Sequence, residues 1–273
     1  MYWSDMDSAL RKSRKEGLAL PTIAVVAAVS VAFFVLPLIG LAARAPWSDA
    51  WEALGSRTTL NALRLSLVVS ITALVITVLF GTPLAYVLAR ADFPGRRLVR
   101  GLVILPMVLP PVVAGVGLLT ALGRRGILGS FLLDLGVSLP FTTAAAALAA
   151  AFVAAPFYVV TLEAGFRSVD ERLENAAATL GASRATILRT ITLPAVMPSI
   201  AAGATLCWAR ALGEFGATIL FAGNLEGRTQ TAPLAIYQDI QRGDFGGAIL
   251  LSLVLFTISL TVLVALRGRV SVR

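Results

Sequence analysis

Long apolar stretches alternate with short polar segments along the whole chain. Six of these stretches are long enough to cross a hydrocarbon core about 30 Å thick as α-helices. The pattern therefore predicts an all-α membrane protein with almost no room for a separate soluble domain. The predicted spans are 18–43, 61–89, 98–121, 141–163, 195–222 and 246–266, so that residues 18–266 form one transmembrane domain between two tails, 1–17 and 267–273.

The basic residues indicate how these spans are oriented. Fifteen of the 23 Lys and Arg residues fall in segments on the side of the N-terminus, and six fall in segments on the other side. Because cytoplasmic loops carry the excess of basic residues, both termini and residues 164–194 are predicted to be cytoplasmic. A net charge of +8 is also typical of nucleic-acid binding, but here the basic residues flank apolar spans and form no single patch. We therefore expect the lipid bilayer, and no nucleic acid, as their partner.

The residue types that the sequence lacks exclude several kinds of chemistry. There is no His, the one Cys is Cys207, and the only Lys residues are Lys12 and Lys15. Catalytic triads that use His, zinc sites and disulfides are thereby excluded, and no Lys follows a glycine-rich turn as a phosphate-binding loop requires. The sequence predicts no catalytic residue and no metal site, so energy must come from a partner or an ion gradient.

A polar segment between the fourth and fifth spans predicts a short amphipathic helix at 169–180. Its apolar positions are spaced i, i+3, i+4 and i+7, and they are Leu173, Ala176, Ala177 and Leu180. Ser168 with Glu171 predicts a capping box at the start, and Gly181 predicts the stop. Small side chains on the apolar face would let another protein approach this helix closely.

Two features of the spans themselves indicate how they pack. The alanine-rich run 144–151 predicts a tight helix interface. Pro106, Pro110 and Pro111 in the third span predict either a helix start with a kink or a broken helix near a permeation path.

The fifth span holds two charged residues, Arg210 and Glu214, which are four positions apart. Two interpretations stay open: an internal ion pair that stiffens the bundle, or a polar path or gate. The candidate pore or gate residues are Arg210, Gly213, Glu214, Phe215, Gly216 and Thr218. In the polar segment that follows, Arg228, Thr229 and Gln230 are candidates for docking an anion or an external protein, although a solvated loop fits equally well.

Residues 168–198 resemble the cytoplasmic loop of permease subunits of bacterial ATP-binding-cassette importers. The signature of that family is Glu-Ala-Ala, three residues, Gly, nine residues, Ile, one residue and Leu-Pro. Its spacing is matched by Ala176, Ala177, Gly181, Ile191, Leu193 and Pro194. The first position of the signature is not matched, because this chain has Asn175 there and its Glu174 lies one residue earlier. The resemblance implies ATPase-coupling residues at Leu173, Glu174, Ala176, Ala177, Leu180, Gly181, Leu193 and Pro194.

Three further stretches, 105–115, 210–218 and 227–237, are similar to the molybdate branch of that family. The resemblance implies import of molybdate or tungstate. A sulfate or thiosulfate permease is the alternative, although that branch usually differs at residues 214–216. A carrier that works alone and uses an ion gradient is a more distant alternative.

The resemblance also implies the partners. Two permease copies would form a homodimer in the bacterial inner membrane, with two ATPase subunits on the cytoplasmic face. Those subunits would bind ATP and magnesium, and this chain would bind no cofactor and would not itself be an enzyme. A periplasmic or lipid-anchored oxyanion-binding protein would deliver the substrate.

Overall fold

The protein is built from helices joined by short turns, in two units. The computed structural model describes the backbone of residues 2–270 and the side chains of residues 23–264. The first unit ends at Trp47 and the second begins at Ser48. The first unit is helix α1, Tyr2–Arg44, which contains the apolar stretch Ile23–Arg44 with a mean hydropathy of 2.6.

The second unit holds the remaining helices of the described chain. They are α2 (Ala50–Gly55), α3 (Arg57–Arg90), α4 (Arg96–Val108), α5 (Pro111–Leu122), α6 (Gly129–Asp134), α7 (Thr143–Ser168), α8 (Glu171–Thr179), α9 (Arg184–Ile187), α10 (Leu193–Leu212), α11 (Gly216–Phe221), α12 (Ala232–Arg242) and α13 (Phe245–Val270). A π-helical turn, Leu188–Thr192, joins α9 to α10.

Helix α7 is the most buried helix of the second unit and packs against both α3 and α10. Its small side chains allow this close approach, as the alanine-rich run predicted; the fully buried ones include Ala145, Ala146, Ala149, Ala150 and Ala154. The ring of Tyr158 fits between a glycine of each neighbour, since a Cβ at Gly81 or at Gly203 would lie 3.2 Å from it. The Tyr158 hydroxyl also lies 2.7 Å from the Thr82 hydroxyl of α3.

In the described part of the chain, five helical stretches are long and apolar enough to cross a membrane, and a bent pair of helices makes a sixth if it counts as one span. The five are Ile23–Arg44, Arg57–Arg90, Thr143–Ser168, Arg184–Leu212 and Phe245–Val264. The bent pair is α4 with α5, between which the chain bends by 120°. The third predicted span, 98–121, is therefore a broken helix, which the sequence had left open against a simple kink.

Two consecutive prolines explain this break. The residue before a proline is pushed out of the helical region, and Leu109 accordingly has φ −65° and ψ 135°, which ends α4. Pro111 then occupies the first position of α5, where its missing N–H costs no hydrogen bond. Pro106, in contrast, is buried inside α4 without ending it.

The prediction of one continuous fifth span at 195–222 is wrong. Helix α10 stops at Leu212, and the new helix α11 begins only at Gly216. Helix α11 packs against α5 through two glycines. A Cβ on Gly216 would lie 2.7 Å from the Pro111 Cβ, and a Cβ on Gly115 would lie 2.9 Å from the Ala217 carbonyl oxygen. The two helix breaks therefore lie against each other.

We expect Gly115→Ala to destabilise the protein, because the added methyl group would meet backbone atoms of α11 that cannot rotate away. Overpacking of this kind costs about 1–3 kcal/mol. Gly117→Ala is the matched control in the same helix, since a Cβ there meets nothing within 4 Å. Thermal unfolding in detergent should show a lower midpoint for Gly115→Ala only. Equal midpoints for the two variants would contradict the close contact between α5 and α11.

Candidate functional site

Helix α8 and its caps occupy the segment between α7 and α10. Asp170 is the N-cap, and its Oδ1 accepts a hydrogen bond of 2.9 Å from the Arg172 N–H. The predicted capping box at Ser168 is wrong, because the Ser168 hydroxyl instead donates to the Gly165 carbonyl in the last turn of α7. Ser168 is still the last residue of α7, and the N-cap position of α8 is taken by Asp170. The helix therefore runs over Glu171–Thr179, slightly shorter than the predicted 169–180.

Gly181 ends α8 as its position in the sequence predicts. Its φ of +85° lies in the left-handed region, which costs a residue with a Cβ roughly 1–2 kcal/mol. The Gly181 N–H donates to the Ala178 carbonyl, and the Ala182 N–H donates to the Ala177 carbonyl, each at 3.0 Å. These two bonds satisfy carbonyl groups that the end of the helix would otherwise leave open.

The apolar face of α8 is not covered by the described residues of the second unit. The side chains of Leu173 and Leu180 are 58% and 88% exposed, Ala176 is exposed, and Ala177 is half-buried. No residue of α8 is buried. Further along, Leu193 is half-buried and Pro194 is exposed at the start of α10. An apolar face left open on a short capped helix is suited to contact with a partner protein.

Glu174 does not lie on this open face. Its Oε1 accepts a hydrogen bond of 2.7 Å from the Thr192 hydroxyl in the π-helical turn and lies 3.2 Å from Arg90 Nη2 at the end of α3. Arg90 Nη1 also lies 2.7 Å from Glu171 Oε1. Sequence reasoning missed Arg90, because it is 84 positions from Glu174 and no local spacing links them.

A second ionic cluster, also missed, joins α4 to α7. Glu163 is buried near the end of α7, and its carboxylate binds the guanidinium groups of both Arg100 and Arg167. The Arg167 contact measures 2.9 Å. Arg96 caps α3 by donating to the Leu88 carbonyl at 2.7 Å and 3.0 Å. Charged groups thus tie the start of α4 to the ends of α3 and α7.

Arg210 and Glu214 form the ion pair that their spacing predicted. Arg210 Nη1 lies 2.8 Å from Glu214 Oε2, and the Glu214 side chain is only 2% exposed. Because α10 ends at Leu212, Glu214 lies in the turn after the helix and not on a continuous helix face. Its other oxygen accepts a hydrogen bond of 2.8 Å from the Ala217 N–H at the start of α11. One carboxylate therefore connects both sides of the helix break.

The other candidate pore residues lie around the same break. Gly213 is exposed, Gly216 and Thr218 are buried, and Phe215 is half-buried with its ring centroid 5.1 Å from that of Tyr237. The structure thus brings the six candidates together in one short region, and it adds Pro111 of the broken third span, which touches Gly216.

Of the three candidate docking residues, only Arg228 is exposed. Thr229 and Gln230 are 0% and 3% exposed, so the structure contradicts their use as a docking surface in this conformation. The Thr229 hydroxyl accepts from the Leu225 N–H and donates to the Gly223 carbonyl, while the Gln230 amide donates to Gln238. Thr229 thus fixes the loop by hydrogen bonds within it, and Gln230 ties the loop to α12.

Nearby in α12, burial raises the pKa of the Asp239 carboxyl, and the charge of Asp244 raises it further, against the opposing effect of Arg242. The Asp239 carboxyl therefore takes up a proton at a higher pH than a fully solvated Asp carboxyl does.

Comparison with known proteins decides the family. Residues 81–271 match the family described as "binding-protein-dependent transport system inner membrane component". The chain belongs to this family. The match begins inside α3 and includes α8, both helix breaks and the second ionic cluster.

Two curated relatives of this permease are named molybdenum transport system permease protein ModB. The one from Mycobacterium tuberculosis is 41% identical over 251 residues, which is 92% of this chain and 92% of the relative. The one from Escherichia coli K12 is 45% identical over 207 residues, which is 74% of this chain and 90% of the relative.

Among solved structures, a bacterial ABC transporter involved in alginate import has a chain with the same fold. Its TM-score is 0.74 at 21% identity, and the match covers 96% of this permease and 98% of that chain. At this identity the likeness shows the fold alone.

We expect Arg210→Met to destabilise the permease more than the double variant Arg210→Met with Glu214→Gln. The single change leaves a buried carboxylate without its partner, at a cost of about 3–5 kcal/mol. The double variant removes both charges and keeps an acceptor for the Ala217 N–H. Thermal unfolding in detergent checks the order. A double variant no more stable than the single one would mean that the ion pair does not determine stability here.

Proposed function

We propose that this chain is the membrane-spanning permease of an ATP-driven importer that moves molybdate, or the similar tungstate ion, into the cytoplasm. The two curated relatives named as molybdenum permeases support this substrate, because their similarity extends along most of both chains. The family and the fold support the importer class.

The observation that carries the coupling part of the proposal is the open apolar face of α8. An apolar patch on a polar loop costs free energy in water, so it is explained best as a surface that a partner covers. We infer that a separate ATPase covers Leu173, Ala176 and Leu180, and that ATP and magnesium are bound by that partner. A permease of this kind has no hydrolytic site of its own.

The two helix breaks are the proposed place of the translocation path. Backbone groups that are not paired within a helix are tolerated at membrane depth only when protein or water satisfies them. Here Gly216, which follows the turn at 213–215, adjoins Pro111, and Glu214 of the charged pair Arg210–Glu214 lies in that turn. We infer that two copies of the chain would form the path, with these breaks near its gate.

The remaining partners follow from the same proposal. The excess of basic residues puts both termini and α8 on the cytoplasmic side. The loop that carries Arg228 would then face outward, toward an oxyanion-binding protein. Selection of the substrate by that protein explains why the described spans need no dense cluster of cationic side chains.

We expect Leu180→Glu to weaken ATPase binding by roughly tenfold or more, since a charge would be buried in the contact. Ile127→Glu is the matched control, because Ile127 is 86% exposed against 88% for Leu180 and lies in another loop. Binding of the purified ATPase to immobilised permease gives the measurement. Equal affinities for the two variants would place the ATPase contact elsewhere.

The substrate is tested by ATP hydrolysis in the reconstituted importer. We expect the binding protein loaded with molybdate or tungstate to stimulate hydrolysis, and the same protein offered sulfate to leave it near its basal rate. Stimulation by sulfate that equals or exceeds stimulation by molybdate would assign the permease to sulfate transport.

A further inference from the structure

Helix α8 is attached to the second unit mainly by polar contacts. None of its residues is buried, so an apolar core cannot fix its position. The helix has nine residues, and isolated helices of this length are unstable in water. Its orientation must therefore depend on the side chains that tie it to neighbouring helices.

Arg90 supplies the tie to α3. It is the last residue of α3, and its guanidinium reaches both acidic residues of the first turns of α8, at 2.7 Å from Glu171 and 3.2 Å from Glu174. The same Nη2 atom also donates to the Val169 carbonyl at 3.4 Å. One side chain thus binds the start of α8 and the backbone that leads into it.

Glu174 extends this tie to α10. The oxygen that faces Arg90 also accepts the hydrogen bond from Thr192, which is 2% exposed and is the last residue of the π-helical turn before α10. Turns of this type interrupt regular helices and occur frequently at functional sites. Glu174 therefore joins three elements, α8, α3 and the start of α10, through one carboxylate oxygen.

Burial separates the two acidic partners of Arg90. The side chains of Arg90 and Glu174 are 13% and 21% exposed, whereas that of Glu171 is 74% exposed. Solvent screens an exposed ion pair, so the contact with Glu171 contributes little. The contact with Glu174 is partly shielded, and removing either partner would leave a poorly solvated charge.

We propose that Arg90 is the positioning residue of α8. Together with Glu174 and Thr192 it forms a clamp, so that a force applied to α8 moves α3 and α10 with it. This inference rests on the proposed function in one respect, namely that the force passes from the ATPase to the membrane spans. The clamp itself is a statement about this chain alone, and it can be tested without a partner.

The first test measures the position of α8. The only cysteine, Cys207, is buried, so spin labels can be placed on cysteines introduced at Leu79 of α3 and Thr179 of α8. Pulsed electron paramagnetic resonance on the full chain in detergent should give a narrow distance distribution. We expect Arg90→Gln to broaden it and Glu171→Gln to leave it unchanged, because Glu171 is the exposed partner. Equal widths for Arg90→Gln and the parent chain would overturn the clamp.

A charge swap distinguishes the clamp from a loss of folding. Arg90→Glu should broaden the distribution most, because it puts a third negative charge beside Glu171 and Glu174. Adding Glu174→Arg to that variant should narrow it again. A double variant as broad as the single one would show that the ion pair does not set the position of α8.

The second test measures coupling in the assembled importer. The docking face at Leu173 and Leu180 is untouched in Arg90→Gln, so ATPase affinity should change less than about twofold, while substrate moved per ATP falls roughly tenfold. Normal transport per ATP would overturn the coupling role. If the parent chain binds no ATPase at all, the proposed function fails, and the distance measurement still decides whether the clamp exists.

Discussion

Close packing around α7 is the constraint on which the rest of the second unit depends. Alanines on α7 and glycines on α3 and α10 bring the three helices together around Tyr158. Between apolar helices in a membrane, such van der Waals packing replaces the hydrophobic effect as the source of association. Because α8 lies in the connection between α7 and α10, this packing also fixes the two points between which that connection runs.

Two of the polar clusters have different roles. The ion pair of Arg210 and Glu214 connects α10 to the turn that follows it, and Glu214 also accepts a hydrogen bond from the first turn of α11. Arg90, Glu174 and Thr192 hold α8 at the edge of the unit, where nothing apolar can do so. Both clusters link helices that would otherwise move independently. A transporter needs such links if a change at one site is to alter the translocation path at another.

Sequence reasoning succeeded for several local interactions, although not for the capping box at Ser168, and it failed where the deciding interaction is distant. The end of α8 at Gly181, the alanine interface and the pairing of Arg210 with Glu214 all depend on spacings of a few residues. The clamp and the Arg100–Glu163 pair join residues 84 and 63 positions apart, so only the fold reveals them. Thr229 and Gln230 were misread for the same reason, since their burial depends on how the loop folds against α12. The end of α10 at Leu212 was also missed, because no proline follows it directly in the sequence.

Purification of the chain from its native membrane in mild detergent, with partners identified by mass spectrometry, tests the importer function most directly. We expect a second copy of the chain and an ATPase with a phosphate-binding loop to co-purify, in equal numbers of permease and ATPase subunits. A stable chain recovered alone, with no ATPase at any detergent concentration, would contradict an ATP-driven importer and would indicate a carrier that works by itself.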